Sequence, residues 1–140
     1  MRSLAQSVGD GSTAGMPLPG ILPGLTAMGV TPRRGQVTMV AAPPNGGKSL
    51  LALWYAIQAK VPTLYISADT DQATTLARSA AVLSGRTVDD IEQQLNSDAA
   101  PLVEDLVLDA DYLAFAYDPS PTIEDINEEI MAAFEAWGKV

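Results

Sequence analysis

The residues of this 140-residue chain whose types and spacing could do chemistry fall together in one stretch, Ala42-Pro43-Pro44-Asn45-Gly46-Gly47-Lys48-Ser49-Leu50. It follows the phosphate-loop pattern G-x-x-x-x-G-K-[ST], with Ala42 where the first glycine would be. Gly46 and Gly47 let the backbone turn its N–H groups towards phosphate oxygens. A helix beginning near Lys48 adds the partial positive charge of its N-terminus. In such a loop Lys48 reaches the β- and γ-phosphates and the Ser49 hydroxyl holds Mg²⁺. The competing reading is an ordinary glycine-rich turn. An apolar run before the loop and an apolar-periodic helix after it favour the phosphate reading. The second candidate is Asp69, at the end of the apolar run Leu64-Tyr65-Ile66-Ser67. Ligands of open α/β sheets sit outside the carboxyl ends of the strands. A carboxylate there could orient or deprotonate water at a γ-phosphate. The alternative is that Asp69 and Asp71 only cap the next helix, a role that suits Asp71.

The segments flanking these residues read as alternating strands and helices. Val37–Ala41 is short, apolar and partly β-branched, and is expected to be a buried strand. Leu50, Leu51, Leu53, Trp54 and Ile57 give helical spacing from about Lys48 to Ala59. Trp54 and Tyr55 are expected to pack rather than to stack on bases, since they lie a turn or more beyond the loop. Residues 61–67 form a second expected strand, which predicts a βαβ unit and a parallel sheet. A helix follows from Gln72 to Leu83, stopped by Ser84-Gly85. Thr87 opens a short helix through Leu95, and Pro101 another through Val107. Tyr112–Tyr117 is the third expected strand. Thr122-Ile123-Glu124-Asp125 is a capping box, and Ile123, Ile126, Ile130, Phe134 and Trp137 then keep helical spacing in a stripe expected to face the core.

Residues 1–20 read as a flexible leader and residues 21–140 as the folded domain. Within Met16–Leu25 the breakers suggest an extended arm with a short turn at Leu25–Met28; a bland linker and an arm docking on a neighbouring subunit are both open. Arg33-Arg34 could touch phosphate, although adjacent arginines are more often solvated.

Composition narrows the function classes. The formal net charge is -9, from 8 basic and 17 acidic residues, so the surface as a whole does not attract nucleic acid. No cysteine is present, which excludes disulfides and thiolate metal sites, and no histidine, which removes the commonest general base and metal ligand. No apolar run reaches membrane-spanning length and no signal-peptide core is visible at the start, so a cytoplasmic protein is expected, host-cytoplasmic if phage-encoded.

A nucleotide hydrolase also needs an acidic residue ending an apolar strand, to hold the Mg²⁺ hydration shell. Leu106-Val107-Leu108-Asp109 and Asp118 are the candidates inside the chain; otherwise the strand lies beyond Val140, and the chain is the N-terminal portion of a larger domain.

Leu22-Pro23-Gly24-Leu25, Gly35-Gln36-Val37 and the loop Ala41–Ser49 resemble the RecA-like ATPase core of DnaB-type replicative helicases, most closely the shorter bacteriophage versions. That family commonly carries Ala at the first loop position and Pro within the loop. Leu64–Asp69 resembles its second strand, with Asp69 in place of the usual catalytic Glu. Leu76-Ala77-Arg78 and Tyr112–Ile130 are similar to later parts of the same core. The resemblance covers roughly residues 20–140 and implies an α/β P-loop NTPase of RecA-like type. It implies ATP and Mg²⁺ as ligands, Gly46, Gly47 and Lys48 on phosphate, Ser49 on the metal and Asp69 positioning water. It further implies a homohexameric ring that couples ATP hydrolysis to movement on single-stranded DNA. The family's metal-binding Asp strand, DNA-binding loops and arginine finger are not visible. A RecA-like recombination or repair ATPase is one alternative, and a non-catalytic subunit docking on a full-length ATPase ring is another.

Overall fold

A computed structural model describes residues 15–138, in two compact units that divide inside the loop, one ending at Gly46 and the other beginning at Gly47. Residues 1–14, most of the expected leader, lie outside the described residues.

In the first unit the breaker-rich segment does fold. Pro17 and Arg33 form an antiparallel bridge, flanked by Arg34 N–H donating to the Met16 carbonyl at 3.0 Å and Leu18 N–H to that of Pro32 at 2.8 Å. Between these arms runs a short helix α1, Pro23–Ala27, with proline at its start where a helix has no use for the missing N–H. It extends the expected turn by two residues towards the N-terminus. The arm expected to be extended is thus folded back on residues 32–34. Arg33, beyond being solvated, donates to the Gly15 carbonyl at 3.4 Å.

The expected strand Val37–Ala41 does not form. Residues 36–42 take no strand assignment, and Val37 is 100% exposed, with Met39 and Val40 also exposed. The reason is physical: a continuous apolar run is the mark of a strand covered on both faces and paired on its edges. Among the described residues of this unit, the only strand-type pairing is the Pro17–Arg33 bridge.

In the second unit the elements follow the sequence closely. They are α2 (Lys48–Ala59), β1 (Thr63–Ser67), α3 (Gln72–Ser84), α4 (Val88–Leu95), α5 (Ala100–Leu108), β2 (Leu113–Tyr117) and α6 (Ile123–Trp137). β1 and β2 pair in parallel, Thr63 opposite Leu113 through Ser67 opposite Tyr117. The crossover between them holds α3, α4 and α5, and that crossover supplies the core. Ala77, Ala80 and Ala81 of α3 are small enough for α4 and α5 to approach closely, and Ile91 (1% exposed) and Val103 fill the contact. Leu53, Ala56, Ile57 and Ala59 are the buried residues of α2; of the expected stripe Leu53 and Ile57 are buried, Trp54 is half-buried, and Leu50 and Leu51 are exposed.

Helix ends follow local chemistry. Gly85 adopts φ 69° and stops α3. Asp71, Thr87 and Thr122 cap α3, α4 and α6. Leu106–Asp109, considered above as a metal-binding strand, is instead the end of helix α5, with Asp109 at its C-cap. The stripe on α6 does not enter a core: no residue of that helix is buried, Ile123 is 76% exposed and Phe134 55%. No helix among the described residues is long and apolar enough to cross a membrane.

Candidate functional site

The loop residues are described in two parts, as the chain divides. In the first unit, Ala42-Pro43-Pro44-Asn45-Gly46 makes a tight turn in which Gly46 N–H donates to the Pro43 carbonyl at 3.0 Å. Asn45 takes the left-handed conformation, φ 61°, which Asn tolerates better than most side chains. A Cβ on Gly46 would meet the Pro43 carbonyl oxygen and the Ala42 Cβ, both at 2.9 Å, so only glycine closes this turn without a shift. Ala42 is half-buried, and Pro43, Pro44, Asn45 and Gly46 are exposed.

In the second unit, Gly47 is the N-cap of α2 at φ 75°, and its carbonyl receives the first helical hydrogen bond from Leu51 N–H at 2.8 Å. No side chain caps this helix. That sets it apart from its neighbours. The starts of α3, α4 and α6 are capped by side chains, and those of α1 and α5 carry a proline. The first-turn N–H groups of α2 are left without a side-chain acceptor, no acidic residue stands in that turn, and the exposed Lys48 opens it. Ser49 is half-buried, and its carbonyl accepts from the Tyr65 hydroxyl at 3.5 Å. This tether from β1 to the start of α2 escaped the sequence reading, because it joins residues 16 apart and leaves no periodic trace.

Asp69 lies just beyond the carboxyl end of β1 and is exposed; its Oδ1 accepts from the Thr70 hydroxyl at 3.2 Å. Asp69 does not cap α3. Asp71 does, with Oδ1 taking the Thr74 N–H and Oδ2 the Thr74 hydroxyl, both at 2.8 Å. These bonds hold the Asp71 carboxyl below its ordinary range. The turn between β1 and α3 is braced by buried Ser67, whose hydroxyl donates to the Thr70 carbonyl at 2.9 Å and accepts from Thr70 N–H at 3.2 Å. Asp69 is therefore carried on a short, braced turn at the sheet's carboxyl edge, and its carboxylate has no capping duty. Tyr65 feels it: burial, and then the Asp69 charge, raise the phenol above its usual value, with Arg78 acting the other way.

The rings of β2 extend this face of the sheet. Phe115 lies 5.9 Å from Tyr65 and 6.2 Å from Tyr117, the second pair at an interplanar angle of 10°. The Asp118 carboxylate accepts from Ser120 N–H at 2.8 Å and so shapes the turn into α6. Among the described residues no group of three or more acidic side chains could hold a metal ion.

No protein-family model matches the chain, and no solved structure matches it. Two bacteriophage proteins are similar to it. The Gene 65 protein of Mycobacterium phage L5 is 40% identical over 134 residues, which are 94% of this chain and 48% of that protein. The Gene 65 protein of Mycobacterium phage D29 is 37% identical over 103 residues, 71% of this chain and 43% of that protein. The chain's sequence kinship is thus with bacteriophage proteins, and it spans about half the length of the relatives it matches.

Proposed function

We propose that this chain carries the phosphate-binding part of a P-loop nucleotide-binding protein, with ATP and Mg²⁺ as the ligands. The observation that carries the reading is the start of α2. It is a helix with neither a side-chain cap nor a proline, opened by Gly47 and Lys48 at the positions where the phosphate-loop pattern puts them. Backbone N–H groups and an ammonium group, with no anion of the protein's own in that turn, make a favourable place for a phosphate. In this reading Gly47 presents its N–H group, Gly46, whose own N–H is held by the Pro43 carbonyl, only shapes the turn, Lys48 neutralises the terminal phosphates, and the Ser49 hydroxyl would take the metal. Mg²⁺ bound there would supply neutralisation of phosphate charge. Asp69, free of the cap, orients a water molecule.

The finer reading is a RecA-like ATPase related to DnaB-type helicases, working as a ring on single-stranded DNA. It rests on the resemblance of the loop and of Leu64–Asp69. The parallel pairing of β1 with β2 and the position of Asp69 beyond β1 support it. The activity of a whole protein of the relatives' length is part of the same proposal.

The test is a titration with a fluorescent ATP analogue and Mg²⁺, beside Lys48→Ala. Saturable binding that weakens at least tenfold in the variant supports the loop; equal binding in both, or none in either, overturns it. Hydrolysis stimulated by single-stranded DNA and lost in Asp69→Ala then supports the finer reading, and hydrolysis indifferent to Asp69 refutes the role given to that residue.

A further inference from the structure

The apolar stripe of α6 is divided between two fates. At about 100° per residue, Ile123, Ile126, Ile130, Phe134 and Trp137 fall within one sector of about 80°. On one side of that sector the helix is held. Ile126 borders a hollow of about 210 Å³ with Ile66 and Ala116 of the sheet, and Trp137 Nε1–H donates to the Asp111 carbonyl at 3.1 Å, just before β2. On the other side Ile123, Ile130, Met131 and Phe134 are bare. The helix carries five acidic residues, Glu124, Asp125, Glu128, Glu129 and Glu135, and no basic one. Glu124 and Glu135 border the bare side, and Glu128 and Glu129 line the hollow.

Four exposed large apolar side chains on one helix face form a surface of the kind that is covered in use. A two-stranded parallel sheet is likewise an element that is normally covered on both faces and extended at its edges. The charge pattern says what can cover the helix. A second copy would bring one acid-bordered stripe against another, and like charges at that spacing repel. A covering segment therefore needs an apolar face rimmed by Lys or Arg. The phage relatives supply the length: each carries more than half of its chain outside the matched stretch.

We infer that the Ile123–Ile130–Phe134 face of α6 docks an apolar, basic-rimmed segment of the half of the phage relatives that lies outside the matched stretch. Docking on this face needs no nucleotide, so it stands apart from the phosphate loop. Apolar contact supplies the affinity, and the acidic border sets orientation and partner choice.

Hydrogen exchange tests it on this chain and on the intact phage L5 protein, without nucleotide. Exchange in α6, or in the L5 segment aligned with it, is scaled to that of α3 in the same protein. The expected result is at least tenfold slower exchange at 126–134 in the intact relative. Equal scaled rates in the two proteins overturn the inference. Slowing in this chain alone that grows with its concentration also overturns it, because a second copy is then the occupant. A second arm co-expresses this chain with the remaining part of the L5 protein. A complex on size exclusion that weakens as salt rises, and is lost in Ile130→Asp/Phe134→Asp while circular dichroism is unchanged, supports the docking face. A complex that survives both changes refutes it. Should the separate fragment prove insoluble, the exchange comparison on the intact proteins decides.

Discussion

Two helices of the second unit begin in opposite ways. α6 opens with a complete capping box. Thr122 Oγ1 accepts from Asp125 N–H at 3.2 Å, and Asp125 Oδ2 returns the favour to Thr122 N–H at 2.9 Å. Glu124 adds a second anion to the same turn. α2 opens with Gly47 in a left-handed conformation, no side-chain cap and Lys48 in its first position. The first terminus supplies its own acceptors and its own negative charge, and so has little to offer an anion. The second supplies neither, and adds a cation where a helix terminus on its own would favour an acid. A start that disregards local stability in this way makes sense when its acceptor comes from outside, and this contrast is the reason for placing phosphate at α2.

The contrast can be broken most directly by exchanging charge. Lys48→Glu puts an anion into the one first turn, among the described helices, that lacks both a side-chain cap and a proline. Nucleotide affinity is expected to fall at least tenfold, about 1.4 kcal/mol, in a fluorescent-nucleotide titration. Glu124→Lys makes the opposite exchange at α6 and is expected to leave nucleotide affinity unchanged. Equal losses in the two variants would mean that overall charge, not the open helix start, governs binding.

Removing the cap sharpens the other side of the comparison. Thr122→Ala deletes one half of the box and is expected to cost about 1 kcal/mol of stability in urea unfolding, with no effect at the phosphate loop. A smaller effect is expected from Tyr65→Phe, which keeps the ring against Phe115 and removes only the hydroxyl from the Ser49 carbonyl. The bond is long, 3.5 Å, so the cost in stability is expected at or below about 0.5 kcal/mol. The informative readout is nucleotide affinity, which should weaken if the tether sets the position of the α2 start.

Much of this was legible in the sequence, and the limits are instructive. The start of α2 at Lys48, the stop at Gly85, the caps at Thr87 and Thr122 and the turn of helix at Pro101 were readable because each is decided by a few neighbouring residues. The apolar runs ending in Ser67 and Tyr117 found each other as parallel strands. Val37–Ala41 and the stripe on α6 were read as buried; the first is bare, and on the second Ile123, Ile130 and Phe134 are exposed while Ile126 and Trp137 are half-buried. Periodicity and apolar runs say that a surface is suited to burial; they do not name what buries it, and that depends on chain elsewhere. The antiparallel bridge of Pro17 with Arg33 was missed for a related reason: breakers mark where a chain turns, not where its arms meet. At the candidate site, Lys48, Ser49 and Asp69 were nameable by type and spacing. The bracing of the Asp69 turn through Ser67 and Thr70 was not.

The smallest effect separates the two helix starts by pH. Hydrogen bonds from the Thr122 hydroxyl and backbone hold the Asp125 carboxyl below its ordinary value. A group whose folded value is depressed stabilises the fold above its unfolded value and loses that contribution as pH falls through the folded one. The stabilisation is therefore fully present at neutral pH and disappears on the acid side of the ordinary aspartate range. Asp125 is fully exposed, so the effect is small and best read locally. Amide exchange at the first turn of α6 is expected to accelerate relative to α2 as pH is lowered through that window, after correction for intrinsic rates. Asp125→Asn should remove the pH dependence, since its amide does not titrate. The first turn of α2, with no carboxylate of its own, should show no comparable step. A step of equal size at both helices would mean that general acid destabilisation, rather than the capping carboxylate, sets the response.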